Sequence, residues 1–175
     1  ITTYLAAVVD RMAFYGSSLC GWLPKDNAMG KSMPQQAMAM SWDFAEGNPL
    51  GKSSSDILTC AKSITSYLEL AAPNSSVSVI QHDARTFPVG DTKFIFSIDP
   101  PYYDNVPYAD LSDFFYVWLR RMLRDVFPSL FSTIATPKAD ELVAFAHRHT
   151  SGKVGAGEFF MSGMTDAMAR LAERA

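Results

Sequence analysis

Hydrophobic positions divide this chain into helical stretches and two short strand-like runs. Leu5, Val8, Val9, Met12 and Leu19 recur at helical spacing, which predicts an amphipathic helix over about 2–18, frayed or ended by Gly16 and Gly21. Residues 22–34 mix Pro, Lys, Asp, Asn and Gly and read as a loop. Residues 35–46 are ambiguous, with methionines and alanines that favour helix. Ile57, Leu58, Ala61, Ile64, Leu68 and Ala72 make a second stripe, capped by Ser55 or Asp56 and stopped by Pro73 and Asn74. A third stripe, from Leu111 through Phe114, Phe115, Trp118, Leu119, Met122 and Leu123 to Val126, has Asp110 as its cap and Asp113 in its first turn. Residues 139–147 predict a short helix. The last helix spans 158–175, with Phe160, Met164, Met168 and Leu171 on one face.

The strand-like runs are Val77-Ser78-Val79-Ile80 and Phe94-Ile95-Phe96-Ser97-Ile98. Both are β-branched or aromatic and too short for a helix, so each predicts a strand, the second fully buried. The second runs directly into Asp99, Pro100, Pro101, Tyr102 and Tyr103, and the prolines cannot continue a ladder. A carboxylate, a stiff turn and an aromatic ring then stand at a strand's carboxyl end, where open α/β sheets bind ligands. An amine conjugated to an aromatic ring is a poor nucleophile. Two acceptors in line with its hydrogens, the Asp99 carboxylate and the Pro100 carbonyl, would hold its lone pair toward an electrophile. Tyr102 could stack on a flat base, and Pro101 keeps the loop rigid.

Asp99-Pro100-Pro101-Tyr102 resembles the catalytic motif of the amino-methyltransferases that act on adenine in DNA. The run DPPYYDNVPYADLSDFFYVWLRR (99–121), with WDFAEGNP (42–49) and HDA from His82, is similar to a bacterial and archaeal family of adenine-specific DNA methylases with a long insertion. The resemblance implies an incomplete Rossmann-like α/β methyltransferase domain using S-adenosylmethionine as donor. It implies Asp99, Pro100, Pro101 and Tyr102 as catalytic residues, and Asp83 as the contact to the cofactor's adenine amine. An acid at that position also reads as a turn cap. Tyr103, Asn105 and Tyr108 become candidate contacts to a base extruded from DNA, or simple loop packing. Related tips methylate amines in RNA or glutamine side chains in proteins, and a non-catalytic interaction module is a further reading.

The 175 residues suit one domain, and a 48% share of hydrophobic residues can bury a sizeable core. The expected organisation is a mostly helical insertion region at 1–75, a catalytic strand-loop-helix core at 76–127 and a helical part at 128–175. The glycine-rich turn that such enzymes use to hold the donor is missing from the sequence. The chain therefore reads as a piece of a longer methyltransferase, partnered by the rest of that polypeptide and by DNA, and weak in donor binding and turnover on its own. Cys20 and Cys60 read as reduced thiols of a cytoplasmic protein, and no apolar run could cross a membrane. A formal net charge of −3 does not favour a phosphate-gripping surface, although Arg120, Arg121 and Arg124 share one helix face.

Three motif-like stretches predict no site. GNPLGKSSS (47–55) is one residue short of a phosphate-binding loop and follows no strand. His147-Arg148-His149 lacks further metal ligands nearby in the sequence, so no metal is expected. SGKVGAG (151–157) follows a polar segment and reads as a flexible linker.

Overall fold

The computed structural model describes residues 1–53, 55–70, 77–88, 90, 93–173 and 175. In chain order these form α1 (Thr2–Gly16), β1 (Trp22–Leu23), β2 (Ala28–Met29), α2 (Ile57–Leu70), α3 (Tyr108–Leu123), a single 3-10 turn at Ala146–Arg148 and α4 (Gly152–Ala172). The chain divides into two compact units, one made of Ile1–Asn74 with Tyr108–Ala139, the other of Ser75–Pro107 with Asp140–Ala175.

In the first unit α1 packs against both α2 and α3. These helices bury Ala6 and Val8 of α1, Cys60 of α2, and Ala109, Tyr116 and Leu123 of α3. Phe14 meets Phe115 with ring centroids 6.0 Å apart. A buried phenol needs a partner at its polar end, and the Tyr116 hydroxyl donates to the Thr133 carbonyl at 3.0 Å. Asp113 accepts from the Thr136 amide at 2.8 Å and from Lys138 at 2.5 Å, which folds the chain after α3 back along that helix. Burial alone would raise the Asp113 carboxyl. The bonds from Lys138 and Thr136 outweigh that and hold it below its ordinary range.

Asp56 caps α2: its Oδ1 accepts from the Thr59 amide at 2.9 Å and its Oδ2 from the Thr59 hydroxyl at 2.7 Å. Those bonds hold the Asp56 carboxyl below its ordinary range. The proposed stop at Pro73 and Asn74 lies outside the described residues. α3 begins at Tyr108, directly after Pro107, so Asp110 stands in its first turn rather than at its cap. Within the expected 22–34 loop, β1 and β2 pair antiparallel, Trp22 with Met29 and Leu23 with Ala28. Asn27 takes a left-handed turn conformation (φ 47°) that asparagine tolerates better than most residues. Residues 35–46 form no helix. Cys20 and Cys60 are buried free thiols, and burial pushes the Cys60 thiol up.

The α/β Rossmann-like expectation is corrected here. The regular structure of the described residues is almost all helical, and their one sheet is the two-stranded β1–β2 ribbon. Residues 77–80 and 94–98 form no strand; both are largely exposed, Ile95 fully so. A strand is stabilised by its neighbours rather than by its own backbone. Among the described residues no backbone hydrogen bond from another segment reaches either run. Helices satisfy their backbone internally, and they are what forms.

In the second unit the 139–147 helix is also absent. The Ala144 amide donates to the Tyr103 carbonyl at 3.0 Å instead of closing a helical turn. The linker reading of 151–157 is corrected as well, because α4 starts at Gly152, where φ of 59° suits glycine. Glycine weakens helices, yet α4 buries a face of Ala156, Gly163 and Ala167. Leu142 lies directly against Gly163, in the space that a Cβ would need. Among the described residues no helix is long and apolar enough to cross a membrane.

Asp10 of α1 supplies a pH-dependent term. Its Oδ1 is buried without a partner among the described residues, and desolvation lifts its pKa to about 6. The native state therefore holds this proton more tightly than the unfolded chain. The resulting stabilisation is full below the unfolded pKa and is lost as pH rises through about 6. Asp10→Asn should stabilise the protein at pH 8 by on the order of 1–2 kcal/mol after solvent screening, and change little at pH 3, below the unfolded pKa. Urea unfolding at both pH values tests this; an equal effect at both would exclude the assignment.

Candidate functional site

One cleft of the second unit gathers residues that lie far apart in sequence. Met164, Ala167, Met168 and Leu171 repeat at helical spacing on α4 and form an apolar wall. Ile98 to Pro101, Asp83 to Arg85, and Asp140 with Leu142 complete it, around a volume of about 330 Å³. Its charged groups are Asp83, Asp99 and Asp140 against the single guanidinium of Arg85.

Asp83 and Arg85 form a closed local unit. Asp83 Oδ1 accepts from the Arg85 amide at 2.9 Å, a side-chain turn that aspartate favours. The guanidinium returns to both carboxylate oxygens, with Nη2 on Oδ2 at 2.6 Å and Nε on Oδ2 at 3.0 Å. These bonds hold the Asp83 carboxyl below its usual range and push Arg85 up, and the fields of Asp140 and Asp166 add to the second effect.

Asp99 is exposed beside the diproline, and its Oδ1 accepts from the Tyr102 hydroxyl at 3.1 Å. Among the described residues no backbone amide donates to the Pro100 carbonyl, so both proposed amine acceptors stand at the cleft with acceptor capacity left. Tyr102 does not line the cleft but is tied to it through Asp99. Tyr103 adopts φ of 55°, a costly conformation for a bulky residue. It is held there by the Ala144 amide and by Phe160 of α4, whose ring it meets edge-on at 5.0 Å. Its hydroxyl also lies 3.3 Å from where a Cβ on Gly157 would stand. Asn105 is exposed and closes a turn onto the Tyr102 carbonyl, its amide donating at 3.0 Å. Tyr108 opens α3 in the first unit.

Of the residues singled out in the sequence, Asp83, Asp99, Pro100 and Pro101 therefore share one cleft, while Tyr102, Tyr103, Asn105 and Tyr108 do not line it. Sequence reasoning missed Arg85, Asp140 and Leu142. The Met164, Met168 and Leu171 stripe was visible as a helix face, without any sign of what it covers. His147 stacks on Phe145 and His149 packs against Phe159. Among the described residues no group of His, Cys, Asp or Glu could hold a metal ion.

The segment that supplies Asp140 and Leu142 is fastened by the Glu141–Arg148 ion pair, 2.5 Å long and mostly buried. Arg148→Met should destabilise the protein by about 2–3 kcal/mol, because charge pairs screened from water lose more than surface ones. Chemical denaturation measures it, and a loss no larger than that of an exposed pair would refute the anchoring role.

No protein-family model matches the chain, and the comparisons with curated proteins and with solved structures give no match either.

Proposed function

We propose that the cleft at Asp99 is the acceptor site for an exocyclic amine, that of adenine in DNA, in a methyl transfer whose donor is S-adenosylmethionine. The observation that carries the reading is the convergence of Asp83, Asp99, Pro100 and Pro101 on one cleft backed by an apolar helix face. The Asp99 carboxylate and Pro100 carbonyl would accept the two amine hydrogens and leave the lone pair directed outward. The carboxylate would also stabilise the positive charge that nitrogen gains as it attacks. The Tyr102 hydroxyl donates to Asp99 Oδ1 at 3.1 Å and would help to orient the carboxylate. The apolar side chains of α4 suit the face of a flat ring.

The donor itself does not fit these residues as they stand. About 330 Å³ is at the small end of small-molecule clefts, which span roughly 300–1,000 Å³. That is room for a base, not for a base and a nucleoside donor together. Both oxygens of Asp83, the acid assigned to the donor's amine, are engaged by Arg85. The role supported for this chain is thus orientation of the acceptor.

A second reading, a glutamine side-chain amide in a protein, is favoured by the charge of the lining. Three carboxylates against one guanidinium repel a phosphate backbone and tolerate a neutral amide.

Calorimetry with an adenine-containing single strand, its N6,N6-dimethyladenine counterpart and a glutamine peptide separates these readings. Adenine should bind roughly tenfold or more tighter than the dimethyl form, which has no amine hydrogens to donate, and Asp99→Ala should remove that preference. Equal binding of the two strands would defeat the adenine reading, and binding of the peptide alone would replace it with the second.

A further inference from the structure

The first unit carries a second, separate cleft of about 550 Å³, within the range of small-molecule sites. It lies between the turn after α1, the β1–β2 ribbon and the chain from Gly30 to Ser41. Its frame is pinned by backbone bonds: the Gly30 amide donates to the Gly21 carbonyl at 2.8 Å, and the Ser32 amide to the Phe14 carbonyl at 3.0 Å. A Cβ on Gly30 would come within 3.1 Å of that Gly21 carbonyl, so the close approach of the two segments depends on glycine.

The lining has two chemical characters. Leu19, Leu23, Pro34 and Met40 give an apolar wall, and Met40 is among the most exposed large side chains of the unit. Lys31 is the one charged residue among those lining it. Beside it Ser32 is 1% exposed, and its hydroxyl has no hydrogen-bond partner among the described residues. Buried hydroxyls in native structures are almost always paired, so an unpaired one bordering a cleft signals a missing acceptor. A carboxylate meets both needs: it accepts from the Ser32 hydroxyl and is attracted by the Lys31 ammonium.

The geometry points to a binding site for a small amphipathic anion, an apolar body ending in a carboxylate, held by Lys31 and Ser32 with its body along Leu19, Leu23, Pro34 and Met40. The site is independent of the amine-acceptor reading.

Decanoate and decanol are the probes, titrated into the full chain by calorimetry, with amide shifts of Lys31 and Ser32 followed by NMR. Decanoate should bind saturably at one site per chain, about tenfold tighter than decanol at low salt, and should shift both amides. Lys31→Met, at an exposed position where folding is not at stake, should abolish the preference for the anion. Ser32→Ala should weaken decanoate and leave decanol unchanged, with circular dichroism confirming the fold. Equal binding of the two probes would overturn the proposal and leave an apolar groove. Absence of saturable shifts at Lys31 and Ser32 would overturn it as well.

Discussion

The hydrogen bond from the Ala144 amide to the Tyr103 carbonyl joins two segments that local structure would keep apart. It draws the 140–145 segment out of a helical path and against the diproline loop. It also holds Tyr103 in a left-handed conformation that its side chain disfavours. With Tyr103 set, its ring reaches Phe160, and α4 is positioned to offer Met164, Ala167 and Met168 to the cleft. Leu142, two residues before Ala144, occupies the space left by Gly163. The cleft thus rests on one backbone contact, one edge-on aromatic pair and one missing Cβ.

Electrostatics act differently in the two units. In the first, Asp113 and Asp56 spend their charge on local amides, hydroxyls and Lys138, and so define where chain segments turn. In the second, Asp83, Asp140 and Asp166 surround Arg85, and Asp99 is engaged only by a phenol among the described contacts. The first arrangement uses charge for architecture. The second leaves the exposed Asp99 carboxylate with acceptor capacity beyond its bond from Tyr102.

α1, α2 and α3 were legible in the sequence because helical periodicity and capping are local, whereas the expected 139–147 helix does not form. The spacing of Ile57, Ala61 and Ile64 and the acid at Asp56 announce α2 within a few residues of its observed start. The strands were misread for the converse reason. Val77 to Ile80 and Phe94 to Ile98 have strand composition, but pairing is a long-range property that composition does not encode. Asp83 and Asp99 stood out through a short motif and its neighbours. Arg85, Asp140 and Leu142 did not, since their role depends on contacts from Tyr103 to Ala144 and from Gly163 to Leu142. The first turns of α4 were hidden by Gly152, Gly155 and Gly157, which resemble a linker until a helix forms through them.

The exposed run from Phe94 to Ile98 has a consequence for colloidal behaviour. An exposed apolar stretch whose backbone is unpaired among the described residues is a template on which like segments can stack. Lys93 stands at one end, and Asp99 with Pro100 and Pro101 at the other. Charge opposes stacking in register, and proline has no amide hydrogen with which to extend a ladder. Pro100 and Pro101, which line the cleft, therefore also stop any added strand at its carboxyl end.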